Sequence, residues 1–96
     1  MKILAIETEV PGINEDDYKP HLKPEALKAW ELYQQGIIRE LYFTSKDHSA
    51  VLILECKDED EAEKYLDTLP LVKKGLIKFN VMSLIPYPGF ARLFNN

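Results

Sequence analysis

Apolar and polar residues alternate in four segments of the chain, and such alternation is typical of β-strands. The first segment covers residues 2–9 and ends at the turn-forming pair Pro11-Gly12. The second and third lie within Ile37–Cys56, on either side of the polar turn Ser45-Lys46-Asp47-His48. The fourth, Leu76–Ile85, is the longest and stops before a proline. The pattern therefore predicts four strands, with a hairpin in the middle of the chain.

The turn of this hairpin fixes its register if Ser45 lies opposite His48. Successive side chains alternate between the two faces of a sheet. One face then carries the mostly apolar pairs Phe43–Ala50, Leu41–Leu52 and Arg39–Leu54, and the other carries Tyr42–Val51, Glu40–Ile53 and Ile38–Glu55. The second face is too apolar for open water and too charged for a simple core. It predicts a covered surface, such as a cavity between two copies of the chain.

A helix is predicted between the first strand and the hairpin. Asn14 is placed as its N-cap, and the acidic residues 15–17 oppose the positive end of the helix dipole. Pro20 predicts a kink, after which the main helix runs to Gln35, with Gly36 as its C-cap. The residues expected to form its buried stripe are Leu22, Ala26, Ala29, Trp30 and Tyr33.

A second helix is predicted after the hairpin. Asp58 and Glu61 have the spacing of a capping box. Pro70 ends this helix or opens one further turn, which Gly75 would close. The expected buried stripe is Ala62, Tyr65, Leu66 and Leu69.

The predicted order is β-α-β-β-α-β, which favours an α+β, ferredoxin-like domain spanning residues 1–96, with a four-stranded antiparallel sheet and both helices on one face. Two helices leave the other face of the sheet uncovered. An exposed apolar patch of that size marks an interface, so a homodimer through the uncovered face is expected. The apolar residues predicted on that face are Ile3, Ala5, Ile38, Tyr42, Val51 and Ile53.

Composition narrows the class of protein. The 96 residues carry a formal net charge of −4, and their lysines and arginines are scattered, which argues against a nucleic-acid partner. No apolar run reaches membrane-spanning length, so a cytoplasmic protein is expected. Cys56 is the single cysteine and is predicted to be buried. The two histidines and this cysteine have no metal-ligand spacing, so no metal or other cofactor is expected.

Two segments also resemble a known family. The run from Tyr33 to Glu40 (YQQGIIRE) places a helix-ending glycine before strand two, and the run from Leu69 to Leu76 (LPLVKKGL) places a leucine-proline to glycine step before strand four. Both resemble the muconolactone-isomerase-like branch of the dimeric α+β-barrel superfamily. The resemblance implies two ferredoxin-like protomers whose sheets face each other in a barrel. The matching motifs are architectural, and no catalytic residue is carried over from them.

Candidate catalytic residues come from the predicted strands. Glu40 and Glu55 share the mixed face of the hairpin, and Glu7 joins them if Leu4 and Ile6 point toward the helices, as expected. Carboxylates gathered in a partly apolar cavity repel one another, which raises a pKa and permits proton transfer at neutral pH. Tyr42 lies on the same face and would stabilise an oxyanion. The alternative is structural: these glutamates form ion pairs with nearby basic residues at a barrel rim.

Two classes of function follow from this sequence. The first is a cofactor-free small-molecule isomerase in which Glu40 moves a proton. The second is a non-catalytic dimer that binds a small ligand or a protein. A third class, the ligand-sensing domain of a transcription regulator, is disfavoured because no DNA-binding segment is attached. The apolar C-terminal segment Pro86–Phe94 is predicted to be ordered and to pack over its own chain or across the partner.

Overall fold

The computed structural model describes residues 1–95, which form one antiparallel sheet with helices on one face. The strand order is β2-β3-β1-β4. The strands are β1 Lys2–Glu9, β2 Ile38–Phe43, β3 Ala50–Glu55 and β4 Ile77–Leu84, and the helices are α1 Glu15–Tyr18, α2 Leu22–Gln34, α3 Glu59–Leu66 and α4 Pro70–Lys73. The predicted α+β, ferredoxin-like architecture is confirmed.

The first helical segment begins and bends where the sequence predicts. Asn14 precedes α1, and its backbone amide donates to Asp17 Oδ2 at 2.8 Å as part of a capping box. A 3₁₀ turn at Lys19–His21 contains the proline that was expected to kink the chain, and α2 follows it directly. Gly36 comes after α2 with a φ of 79°, a left-handed conformation that glycine adopts without steric cost.

The second helical segment is likewise capped by its own sequence. Asp58 Oδ1 accepts a 2.8 Å hydrogen bond from the backbone amide of Glu61, and Glu61 accepts in turn from the amide of Lys57. Pro70 opens the short α4, so the second of the two predicted alternatives is correct. The stripe predicted for α3 packs as expected, because Ala62, Leu66 and Leu69 are buried and Tyr65 lies against them.

The core lies between the sheet and α3, with a contribution from the end of α2. Ile3 and Leu54 of the sheet are fully buried against this layer. Leu32 is the buried residue of α2, and Cys56 is buried as predicted. These side chains form one cluster with Ala5, Ile38, Leu52, Ala62, Leu66 and Leu69. We call this half of the helix-covered face the closed end.

The predicted orientation of β1 is wrong. Ile3 and Ala5 point toward the helices and are fully buried, whereas Leu4 and Ile6 lie on the uncovered face and are partly exposed. Both sets are apolar, so alternation alone does not decide which one faces the helices. Because Glu7 has the same parity as Ala5, its side chain lies on the helix-covered face.

The hairpin register is correct from the turn to Glu40 and wrong beyond it. Tyr42 pairs with Val51 and Glu40 with Ile53, but the next partner of β3, Leu54, pairs with Ile38. One extra residue at this point is a β-bulge, which shifts the side chains that follow to the other face. Ile38 therefore joins the core, and neither the predicted Arg39–Leu54 pair nor the predicted Ile38–Glu55 pair forms.

The stripe predicted for α2 faces the sheet but is not buried there. Leu22, Trp30 and Tyr33 are each about half exposed, and Ala26 is also exposed. Periodicity identifies which side of a helix turns toward the sheet, but it does not report whether the space between them is filled. Here that space is open, and it is the pocket described in the next subsection.

The C-terminal segment is an arm that extends beyond the sheet. It contains a 3₁₀ turn at Gly89–Leu93, in which Tyr87 packs edge-on against Phe90. The side chains of Ile85, Tyr87, Phe90, Leu93 and Phe94 are 65% to 84% exposed, and the longest dimension of the chain is 59 Å. The arm therefore does not pack over its own chain, which was one of the two arrangements predicted for it.

None of the helices in the described range, residues 1–95, has the length and apolar character needed to cross a membrane.

Candidate functional site

A pocket of about 590 Å³ lies between α2 and one end of the sheet. That volume is in the range of small-molecule sites. The helix contributes Leu22, Glu25, Ala26, Ala29, Trp30 and Tyr33; the sheet contributes Glu7, Leu41, Phe43, Ala50, Leu52, Ile77 and Phe79; and Leu69 and Leu71 complete the lining. Tyr42 lies between Leu41 and Phe43 on β2 and borders the cavity, although its position in the strand directs its side chain to the uncovered face. We call this cavity the open pocket.

Glu25 is one of two charged residues that line the open pocket. Its Oε1 accepts a 2.8 Å hydrogen bond from the backbone amide of Leu71, so the side chain caps the N-terminus of α4. Burial is the main influence and raises the pKa of Glu25, the hydrogen bond from Leu71 opposes this effect, and the nearby charge of Glu7 raises the pKa further. The environment therefore makes the loss of the proton less favourable than it is for a glutamate in water.

Glu7 is the other charged residue of the open pocket. The ladder between β1 and β3 ends at the pair Ile6–Val51, which leaves the next residue of β3 without a partner on β1. Glu7 Oε1 accepts a 2.8 Å hydrogen bond from the backbone amide of that residue, Ala50. The carboxylate thus replaces a main-chain acceptor at the point where the two strands separate.

Each of these carboxyl groups has a second oxygen that accepts no hydrogen bond from the described residues. Within residues 1–95, the hydrogen bonds to Glu7 and Glu25 use only the Oε1 atoms. No fully buried side-chain oxygen in this part of the chain lacks a partner, so the two Oε2 atoms are not fully buried. Because both residues line the open pocket, these oxygens are the carboxyl atoms left available to a ligand.

Aromatic side chains form the walls of the open pocket. Trp30 and Tyr33 on α2 stack on each other with ring centroids 5.9 Å apart and an interplanar angle of 24°. Phe43 lies on the sheet side and is 69% exposed. Exposed aromatic rings around a cavity provide flat apolar surfaces that a ligand or a partner covers.

The structure does not bring the predicted site residues together in one place. Glu40 and Tyr42 are adjacent on the uncovered face, where the Tyr42 hydroxyl donates a 2.7 Å hydrogen bond to Glu40 Oε1. This contact is the main reason why the pKa of the Tyr42 phenol is raised. Both side chains are exposed in the single chain. Glu7 lies on the other face of the sheet, so it does not join Glu40 as predicted.

Glu55 lies at the far end of β3 and forms an ion pair with the Met1 ammonium group, with an N–Oε2 distance of 2.6 Å. The hydrogen bond from that ammonium lowers the pKa of Glu55. The increase predicted for a crowded carboxylate is therefore not found at this residue.

The sequence did not single out Glu25, although it gave a signal. Glu25 falls three residues after Leu22 and four residues before Ala29, within the apolar stripe predicted for α2. A carboxylate in such a stripe turns toward the sheet, where it meets a partner or a cavity. Among residues 1–95, no group of three or more His, Cys, Asp or Glu side chains is arranged to hold a metal ion.

Comparison with known proteins gives matches of fold. No protein-family model and no curated protein sequence matches this chain. The solved structure of muconolactone isomerase superposes with a TM-score of 0.74 at 18% identity, and the match covers 92% of each chain. The 5-chloro-2-hydroxyhydroquinone dehydrochlorinase of Burkholderia phenoliruptrix AC1100, in complex with 2,5-dihydroxybenzoquinone, superposes with a TM-score of 0.62 at 19% identity, covering 93% of this chain and 98% of the other.

The fold and the open pocket together define a small α+β domain with a ligand-sized cavity between its helices and its sheet. The chain has the fold of muconolactone isomerase, which confirms the resemblance inferred from the sequence at the level of architecture. At these identities the likeness shows the fold alone.

Proposed function

We propose that this protein is a cofactor-free small-molecule enzyme of isomerase type that moves a proton within the open pocket. The observation that carries this proposal is the pair of pocket-lining carboxyl groups, Glu7 and Glu25, each held by a backbone amide through Oε1 and each with a second oxygen that no hydrogen bond within the described chain occupies. Two solved structures of the same fold are named as an isomerase and a dehydrochlorinase, which supports small-molecule chemistry in general.

The two carboxyl groups differ in a way that suits acid–base chemistry. Burial and the charge of Glu7 raise the pKa of Glu25, so Glu25 is placed as the general acid that returns a proton. Glu7 is placed as the base that accepts a proton from a carbon next to a carbonyl group. General acid–base catalysis of this kind contributes about two to four decades in rate.

Glu40 and Tyr42 remain the alternative catalytic pair proposed from the sequence, with Glu55 on the same face. Their hydrogen bond would place a phenol next to a carboxylate inside a barrel, if a second copy covers the uncovered face. In the single chain this pair faces solvent, whereas Glu7 and Glu25 lie in a cavity. We therefore place the reaction in the open pocket and use Glu40 as the comparison.

Deuterium exchange tests the proposal. A panel of cyclic ketones, lactones and hydroxylated rings is incubated with the protein in D₂O, and loss of carbon-bound protons is followed by NMR. We expect exchange with the native chain, a decrease of about two to four decades with Glu7→Gln or Glu25→Gln, and unchanged exchange with Glu40→Gln. Loss of exchange only in Glu40→Gln would move the reaction to the uncovered face. Absence of exchange with every compound would contradict the proposal.

A non-catalytic binding module is the second candidate. This candidate is favoured because both glutamates already stabilise the fold: Glu25 caps α4, and Glu7 accepts a hydrogen bond at the end of the β1–β3 ladder. In that case Glu25→Gln would change stability or ligand affinity while no turnover is found with any variant.

We also propose that the chain forms a homodimer through the uncovered face. Leu4, Ile6, Val51, Ile53 and Met82 lie on this face and are only partly buried in the single chain. A two-fold interface uses the same patch on both protomers. The exposed C-terminal arm begins at the end of β4, next to this face, and would extend across the partner.

Light scattering tests the dimer. We expect the native chain to be dimeric at micromolar concentration and Ile53→Lys to be monomeric or unfolded. Lys78→Glu, a charge change on the same face farther from its apolar centre, is the control and should leave the dimer intact. A native monomer at this concentration would contradict the proposal.

A further inference from the structure

The charge of the open pocket limits which ligands it accepts. Glu7 and Glu25 are its charged residues, and no lysine, arginine or histidine of the described chain lines it. An anion entering the cavity would lose its hydration shell and meet two carboxyl groups without a positive partner. The open pocket is therefore unsuited to carboxylate or phosphate ligands.

The two carboxyl groups of the open pocket favour a ligand that donates hydrogen bonds. An ionised carboxyl group only accepts hydrogen bonds, whereas a protonated one also donates. Burial raises the pKa of Glu25 above its ordinary value. A hydroxyl group both donates and accepts, so it can donate to either carboxyl group and can also accept from one that carries a proton. An ammonium group only donates, and its charge would have to be desolvated on entering the apolar cavity.

The walls point to a flat ring. Trp30 and Tyr33 present a stacked aromatic surface on one side, and Phe43 presents an exposed ring on the other side of the cavity. Aromatic and cyclic ligands bind such surfaces by stacking and by removing apolar area from water. The volume of about 590 Å³ accommodates a single substituted ring.

We infer that the open pocket binds an uncharged ring that carries at least one hydroxyl group, held between the aromatic walls with its hydroxyl on Glu7 and Glu25, and that it rejects ring compounds bearing a carboxylate. This inference rests on the proposed function for the location of the site. It adds the chemical class of the ligand.

Trp30 makes this inference measurable, because it is the only tryptophan of the chain and it lies in the pocket wall. Its fluorescence is corrected for the absorbance of each probe, because hydroquinone absorbs in the same region as indole. Three matched probes are titrated: hydroquinone as the neutral donor, benzoate as the anion and benzylamine as the cation. Isothermal titration calorimetry on the same probes serves as the second measurement.

We expect hydroquinone to bind at least tenfold more tightly than benzoate. Glu7→Gln should weaken hydroquinone binding by about tenfold or more, because a hydrogen bond to a charged acceptor is lost. Glutamine keeps an oxygen that accepts from the Ala50 amide, so the fold should persist, as circular dichroism would verify. Glu63→Gln, at an exposed glutamate of α3 outside the pocket lining, is the matched control and should leave hydroquinone binding unchanged. If Glu7→Gln does not fold, the ranking of the three probes on the native chain decides.

Three results would overturn the inference. Benzoate binding as tightly as hydroquinone would show that the pocket does not reject anions. Benzylamine binding tenfold more tightly than hydroquinone would make the site a cation site. No binding of any probe by either method would also contradict it. If hydroquinone binds selectively but no compound exchanges carbon-bound protons, the proposed function fails and the ligand class stands.

Discussion

The two ends of the helix-covered face are built from similar residues but are packed differently. At the closed end, Ile3 and Leu54 are fully buried beneath α3. At the other end, Leu41 and Phe43 belong to the same face and remain 41% and 69% exposed beneath α2. One face of a sheet can therefore provide a core at one end and a binding surface at the other. The difference lies in how completely side chains fill the space between the helix and the strands.

The largest expected effect compares two leucines on neighbouring strands of this face. Leu54→Ala should lower the free energy of unfolding by about 2–5 kcal/mol, because it removes a fully buried side chain and leaves a cavity. Leu41→Ala should cost less than about 1 kcal/mol, because much of that side chain already contacts water. Urea denaturation of both variants measures the difference. An equal cost would mean that another copy covers the open end in solution.

The second prediction concerns the C-terminal arm. Truncation after Ile85 should lower the melting temperature of a dimer markedly. The truncated dimer would no longer bury the arm's apolar side chains against the partner. The same truncation made in the Ile53→Lys background should have little effect, because the arm does not pack on its own chain. Thermal unfolding at two protein concentrations measures both. An unchanged melting temperature in the dimer would show that the arm covers nothing.

A third and smaller effect separates the helix caps at the two ends. Asp58→Ala should destabilise the protein by about 1 kcal/mol, because α3 loses the side chain that accepts from the Glu61 amide. Glu25→Gln should be nearly neutral or slightly stabilising at neutral pH, since its amide oxygen still accepts from Leu71 and a charge that burial disfavours is removed. Equal losses in denaturant titrations would mean that Glu25 is only a cap.

The smallest expected effect is a difference of sign with pH. The pKa of Glu25 is raised on folding, so its contribution to stability is present below the ordinary value of 4.5 and is lost as pH rises through the folded value. The pKa of Glu55 is lowered, so its contribution is present above 4.5 and is lost as pH falls through the folded value. The melting temperature of the native chain is measured against pH and compared with that of Glu25→Gln and of Glu55→Gln. As pH rises, the difference from Glu25→Gln should shift against the native chain, and the difference from Glu55→Gln should shift in its favour. Parallel curves would contradict the assignment.

Most of the fold follows from local signals in the sequence. The turn at residues 45–48 fixes the central hairpin register, and the caps at Asn14 and Asp58 place the starts of both helical segments. The orientation of β1 does not follow, because Ile3-Leu4-Ala5-Ile6 is apolar on both faces. The bulge does not follow either, since it depends on pairing with a strand whose position is set by the whole sheet.

The candidate site was harder to predict than the fold for a related reason. Glu7 was selected from the sequence, but its expected neighbours Glu40 and Glu55 lie on the other side of the sheet. Glu25 does not stand out in the sequence, because it lies on a helix whereas the other candidate carboxylates lie on strands. A pocket is defined by what does not fill it, and the spacing of residues along a chain does not contain that information.

The bulge in β2 also determines how this chain tolerates a change in length. Arg39 is the extra residue, so its deletion would leave Ile38 opposite Leu54 and Glu40 opposite Ile53, each on its present face. The neighbouring position 41 has no such freedom, because a deletion there would exchange core and surface residues along the strand. Yet β2 is an edge strand, and a bulge with an exposed cation interrupts the row of free backbone groups that a foreign strand would use. A chain lacking Arg39 should therefore fold normally and form fibrillar aggregates more readily.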